Sequence, residues 1–142
     1  MKNLFIWLLL MAGIAPCFAE PQQAKVAEVA ESISPEAVVD VQIAAYNEGD
    51  VEAFIDTFAP DIKTYAHPNT LQISGIEDLK NAYAGYFKAH PELHAEVTGK
   101  IIQGNFAIYR EFVTGVVGED NFFATAIYEV RKGKIQNIWF LQ

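Results

Sequence analysis

Residues 93–142 read LHAEVTGKIIQGNFAIYREFVTGVVGEDNFFATAIYEVRKGKIQNIWFLQ, and this stretch decides the fold. Leu93, Ala95, Val97 and Ile101 alternate with His94, Glu96, Thr98 and Lys100, which is the period of a strand with one face turned to a core. Gly104-Asn105 supplies a turn, and Phe106–Val117 forms a second strand. Gly118-Glu119-Asp120-Asn121 turns the chain back into Phe122–Val130. The loop Arg131-Lys132-Gly133-Lys134 leads to Ile135–Leu141. Four strands joined by short turns make an antiparallel meander. The later three are apolar on both faces, so the sheet needs a cover on each side. Helices can supply one cover. A second subunit or another layer must supply the other, which gives the expectation of a homodimer.

Working toward the amino terminus, the period changes from two to three or four. Ser34-Pro35-Glu36 combines a capping residue, a proline suited to the first helical position and an acid at the positive end of the helix dipole. Val38, Val41 and Ala45 then recur at helical spacing, widened by Val39, Ile43 and Tyr46. Asn47-Glu48-Gly49 ends this helix. Asp50 caps a second, with Val51, Phe54, Ile55 and Phe58 at i, i+3, i+4 and i+7. Pro60-Asp61 interrupts, Ile62–His67 reads as a short strand, and Pro68-Asn69 stops it. Ser74-x-x-Glu77 has the form of a capping box before a third helix carrying Ile76, Leu79, Tyr83, Tyr86 and Phe87. His90-Pro91 closes that helix. The expected architecture is α+β: three N-terminal helices packed on a curved, mostly antiparallel sheet, with a pocket between the layers.

The beginning of the chain reads differently. Lys2, the apolar run Leu4–Ile14, Pro16 and the small-residue ending Cys17-Phe18-Ala19 have the three parts of a secretory signal. The apolar run is shorter than the roughly 20 residues a spanning helix needs. Residues 1–19 are therefore expected to be cleaved, residues 20–33 to be a lead-in, and residues 34–142 to form one domain. The expected address is periplasmic or secreted, with no membrane attachment after cleavage; the alternative is a lipoprotein, since Cys17 follows an apolar stretch, although Pro16 just before it fits a lipidation site poorly. Cys17 is the only cysteine, so a mature chain would have no thiol chemistry or disulfide. The net charge of −8 becomes more negative when Lys2 is removed. Such a chain lacks the basic surface that nucleic acid or an anionic membrane requires.

Three stretches resemble a known family. They are Ala45-Tyr46-Asn47-Glu48-Gly49-Asp50-Val51 through Phe58 and Asp61; His67-Pro68 with Ser74-Gly75 and the helix that follows; and Gly104-Asn105, Glu111-Phe112-Val113-Thr114-Gly115, Ile127-Tyr128-Glu129-Val130, Gly133-Lys134-Ile135 and Trp139-Phe140. Together they resemble the nuclear-transport-factor-2-like (NTF2-like) superfamily in its SnoaL-like branch, often described as steroid delta-isomerase-like. That resemblance implies a cone-shaped α+β fold. It does not fix a reaction, because the superfamily holds isomerases, cyclases, dehydratases and binding domains. A ketosteroid-isomerase site would need a carboxylate base and two neutral donors, a tyrosine and a protonated aspartic acid. Carried over by resemblance, the donor tyrosine falls on Gln42, with Tyr46 one turn later. The base falls on His67 or, one residue earlier, Ala66. The donor acid falls on Thr125 or Ala126. All three depart from the isomerase pattern.

The remaining candidates come from the residues themselves. A free histidine side chain changes charge near neutrality, which makes His67 a candidate acid or base. Arg110 and Glu111 sit in mid-strand and must face opposite sides, so whichever points inward is a charge in an apolar setting. Glu111 is the second catalytic candidate. Tyr46, Tyr65, Tyr83, Tyr128 and Trp139 are candidates to line a pocket for a flat apolar ligand. His90 and His94 are separated by Pro91 and do not share a helix face, so no metal site is expected. No glycine-rich phosphate loop or Gly-x-Ser-x-Gly turn is present, and no cofactor is expected. The expected function is binding of a small, largely apolar molecule, with cofactor-free isomerase- or lyase-like acid–base chemistry. The alternative is a non-catalytic dimeric binding or assembly module.

Overall fold

The computed structural model describes residues 33–141. The expected signal peptide and all but the last residue of the expected lead-in lie outside the described residues. The chain runs α1 (Pro35–Glu48), α2 (Val51–Asp56), β1 (Phe58–Ala66), β2 (Thr70–Ser74), α3 (Ile76–Ala89), β3 (His94–Gln103), β4 (Phe106–Thr114), β5 (Phe122–Arg131) and β6 (Lys134–Leu141). One six-stranded sheet has the order β2-β1-β6-β5-β4-β3. Only the β1–β6 pairing is parallel. The fold class is α+β as expected, with one correction. Only α1 and α2 precede the sheet; α3 follows the β1–β2 hairpin.

Local chemistry explains most boundaries. Asp50 caps α2 by accepting from the Ala53 N–H at 3.0 Å. Gly49 ends α1 in the left-handed region (φ 64°), which a glycine adopts without the penalty of a Cβ. Three local expectations fail. Ser34 precedes α1 without a side-chain capping bond. Ser74 is the last residue of β2 rather than a helix cap, and Gly75 stands at the N-cap of α3. Phe58 opens β1 rather than ending α2, so Pro60 lies within a strand. Val41 is also misplaced, at 58% exposed. The buried side of α1 is Val38, Val39, Gln42, Ile43 and Ala45.

All three helices lie on one face of the sheet. α1 crosses β3, β4, β5 and β6, while α3 lies against β1 and β2. Between them Phe54, Ile62, Leu79, Tyr109, Ile135 and Ile138 form the core. The ends of α1 are pinned by polar contacts. Near its start, Asp40 accepts from the Tyr109 hydroxyl (2.7 Å) and from Lys100 (2.6 Å). At its end, the Asn47 amide makes both bonds to one residue, donating to the Ala95 carbonyl (3.0 Å) and accepting from the Ala95 N–H (2.7 Å). β3 is an edge strand, so this amide takes up backbone groups that no neighbouring strand can reach. Gly115 closes β4 at φ 77°, where an added Cβ would lie 1.8 Å from the Glu92 carbonyl oxygen.

Asn47→Ala removes the side-chain partner of both the N–H and the C=O of buried Ala95. The expected loss is about 2–3 kcal/mol in urea unfolding. A loss below about 0.5 kcal/mol would show that the bonds to β3 contribute little.

Candidate functional site

The alternation of β4 settles which charge enters the layer between helices and sheet. Tyr109, Glu111 and Val113 are buried against the helices, while Arg110 lies on the opposite, helix-free face. There its guanidinium sits 3.7 Å from the Phe123 ring centroid. On β5 the same alternation sends Ala124, Ala126 and Tyr128 inward. The result is a cavity of about 320 Å³ bounded by α1, α2, α3 and strands β1, β4, β5 and β6. Its apolar wall includes Phe54, Phe58, Leu79, Val113, Ile138 and Phe140. Its polar groups are Gln42, Tyr46, Tyr83, Tyr86, Glu111 and Tyr128. Burial grades them by depth. Gln42, Glu111 and Tyr128 are 4%, 8% and 3% exposed, while the other three tyrosines are half-buried toward the rim.

Glu111 is the charged group of the cavity. The Tyr128 hydroxyl donates to its Oε1 at 3.0 Å. Burial raises the carboxyl to about 7, and the Tyr128 bond opposes that rise without cancelling it. The carboxyl is therefore half-protonated near neutral pH and able to give or take a proton there. The phenols behave in the opposite way. Burial lifts Tyr46, Tyr83 and Tyr128 above the ordinary phenol range, with neighbouring tyrosines and Glu111 adding to the effect. They stay neutral and serve as hydrogen-bond donors. Gln42 differs again. Its Oε1 is buried and has no hydrogen-bond partner among the described residues.

The site holds only part of what the sequence offers. Tyr46, Tyr83, Tyr128 and Glu111 come together in the cavity. His67 does not. It is exposed at the end of β1, where its N–H donates to the Phe140 carbonyl at 2.8 Å. Tyr65 and Trp139 also lie elsewhere. Strand alternation turns both to the helix-free face, where their rings stack at 5.5 Å and 12°. The isomerase positions fare no better. Ala66 carries no titratable group, Thr125 faces outward beside Arg110, and Ala126 is a buried methyl. Tyr86 lines the cavity without having been singled out, although it shares a helical face with Tyr83. Among the described residues no group of three His, Asp or Glu side chains is placed to hold a metal.

Comparison with known sequences and structures fits this arrangement. The sequence profile of the SnoaL-like domain matches residues 39–138. The chain belongs to the SnoaL-like family. No curated protein sequence is significantly similar to it. Among solved structures, an uncharacterised cystatin-fold protein from Novosphingobium aromaticivorans superposes with a TM-score of 0.72 at 24% identity, covering 78% of this chain and 100% of its own. A candidate ketosteroid isomerase from Kribbella flavida gives 0.66 at 18% identity, covering 75% and 76%. A candidate polyketide cyclase from Sinorhizobium meliloti gives 0.64 at 21%, covering 73% and 93%. At such identities the likeness establishes the NTF2-like fold and carries no residue roles.

The raised carboxyl makes stability depend on pH with a definite sign. Well below pH 4.5 Glu111 is neutral in folded and unfolded chains alike. As pH rises, the unfolded chain ionises first and the folded one holds its proton to about 7, so folding is progressively disfavoured across that window. Glu111→Gln removes the effect. The stability of this variant relative to the native chain should grow by about 3 kcal/mol between pH 4.5 and pH 8, measured by urea unfolding at each pH. A constant difference would place the carboxyl in a water-like setting.

Proposed function

We propose that this SnoaL-like domain binds a small, largely apolar molecule in its cavity and moves a proton on it through Glu111. The reaction class is cofactor-free isomerisation or elimination. The observation that carries the reading is the pairing of Glu111 with Tyr128 at 3.0 Å inside an open, mostly apolar cavity. A carboxyl poised near neutral pH is matched to abstracting a proton beside a carbonyl. Neutral phenols around it can stabilise an oxygen on which negative charge develops. Structural neighbours described as a candidate ketosteroid isomerase and a candidate polyketide cyclase support the class and leave the substrate open.

A general probe tests the proposal. With 2-tetralone in D₂O, the protein should accelerate deuterium uptake at the carbon beside the carbonyl, with a rate that rises through about pH 7. Glu111→Gln should lower the acceleration about 100-fold or more. Tyr128→Phe removes a bond that favours the ionised carboxylate, so the midpoint of the profile should move to higher pH. Binding of the ketone without any exchange would reject the catalytic reading and leave a binding domain.

The second reading, a dimeric module, is favoured by a separate observation. The helix-free face of the sheet exposes Ile101 (61%), Phe123 (54%) and Leu71 (53%), with Phe112, Ile127 and Trp139 between them. Apolar surface of that extent fits a second copy of the chain. Export is proposed from the amino-terminal pattern of Lys2, Leu4–Ile14 and Ala19. Native mass spectrometry after expression of the full chain reads both points. A chain beginning at Glu20 and running as a dimer is expected, and Phe123→Asp should yield a monomer that keeps its cavity. A native chain that is monomeric at all concentrations would overturn the dimer.

A further inference from the structure

Gln42 is the one group at the cavity that the proposed chemistry leaves without a task. It lies on α1 between Val39 and Ile43, in a stripe that otherwise buries carbon. Its side chain lines the cavity, the residue is 4% exposed, and its Oε1 accepts from no described residue. A buried carbonyl-type oxygen without a donor is destabilising, and folded proteins seldom keep one without a reason. An amide turns readily about its last torsion, so this oxygen can follow a donor placed in the cavity.

The other polar groups narrow what that donor is. Tyr46, Tyr83 and Tyr86 are neutral phenols that can donate to an oxygen on the occupant. Glu111 already receives the Tyr128 hydroxyl on Oε1. An occupant bearing only acceptors, such as a ketone, ether or nitrile, would satisfy phenols and leave Gln42 as it is. A cationic amine could donate to Gln42 but offers no acceptor to the phenols, and an anion would face Glu111. A neutral hydroxyl both donates and accepts, so it can meet the amide oxygen and a phenol together.

We propose that Gln42 is a specificity-determining residue of this cavity, and that the preferred occupant is an apolar ring compound with an alcohol or phenol hydroxyl donating to Gln42 Oε1. The inference rests on the reading of the cavity as a ligand site and names the class of molecule it takes. It also fixes a direction. The position that the isomerase resemblance assigns to a donor tyrosine carries, in this chain, an amide whose oxygen has no donor among the described residues.

The test uses 2-naphthol and 2-methoxynaphthalene, which share a ring system and differ in the ability to donate. Their affinities for the full chain are measured by calorimetric titration, with the unfolding temperature of each unliganded variant recorded in parallel. The native chain should bind the naphthol about tenfold tighter than the ether. Gln42→Leu and Gln42→Met should bring the two affinities within about twofold, because either change removes the acceptor. Both variants should unfold at or above the native temperature, since each replaces an unpaired amide with carbon of similar size. A folded Gln42→Leu that keeps the tenfold preference overturns the proposal, because the hydroxyl is then read elsewhere or through water. Equal binding of both probes by the native chain overturns it as well, while leaving the cavity a ligand site. If the native chain binds neither probe, the binding reading itself falls, and this inference with it.

Discussion

The hydrogen bond from Tyr128 to Glu111 joins two adjacent strands on the inner face of the sheet, and it exists only in one register of β4 against β5. In that register Glu111 faces Ala124, Arg110 faces Thr125, and Ala107 lies opposite Tyr128. A slip of one residue in β4 would turn Arg110 and Phe112 inward and expel Glu111 from the pair. The apolar residues on the two faces do not by themselves prevent this slip, because β4 and β5 carry apolar side chains on each side. Tyr109 does. Its ring is fully buried, and its hydroxyl reaches Asp40 on α1. The contact that seats α1 on the sheet thereby also holds the register that gives the cavity a carboxyl rather than a guanidinium.

The same alternation governs the opposite face. The outward-facing apolar residues of β4, β5 and β6 form a surface of Ile108, Phe112, Phe123, Ile127 and Trp139. Glu129 is the acid on that side. It is held by Arg131 and by the Asn137 amide at 2.7 Å, so its charge is answered within the sheet. Arg110 is answered as well, by the Phe123 ring and by Thr98. Polar groups on this face thus leave it apolar in effect, in line with a surface that meets another protein surface rather than water.

Much of the fold was legible in the sequence, because period and punctuation are local. The meander could be read from alternation and glycine turns, and α1 and α3 from their spacing. The errors lie where long-range pairing overrode local pattern. Phe58 and Pro60 look like the end of a helix and a break. They belong to β1 because the Thr57 carbonyl accepts from the Ile135 N–H, and Phe58 pairs with Ile135 in the parallel arm. Ser74 looks like a cap and is a strand end, because β2 pairs with β1 through that residue. The site was legible to the extent that it depends on parity. One of Arg110 and Glu111 had to face inward, and Tyr128 had to oppose Glu129. His67, Tyr65 and Trp139 were misassigned because a strand's absolute phase is set by its partners, and β1 is phased by β6, some 70 residues away. Gln42 could have been noticed as the polar member of the Val38, Val39, Ile43 and Ala45 stripe. Its missing partner could not, since that is a property of the assembled cavity.

The two functional readings make different physical demands on this interior. A module that works only through its outer face has no need for a buried carboxyl or an unpaired amide. Each lowers stability, and ordinary apolar replacements of similar volume would relieve both. Yet Glu111 and Gln42 stand on different elements, are 8% and 4% exposed, and line the same open cavity. Two independent polar penalties at unrelated places in a core would be unremarkable defects. Two that line one ligand-sized space are in keeping with the proposed occupant, whereas the buried Thr64 Oγ1, also without a partner among the described residues, lies outside it. The outer face accounts for how copies of the chain could meet. It does not account for the interior, which is where the proposed binding and proton transfer would take place.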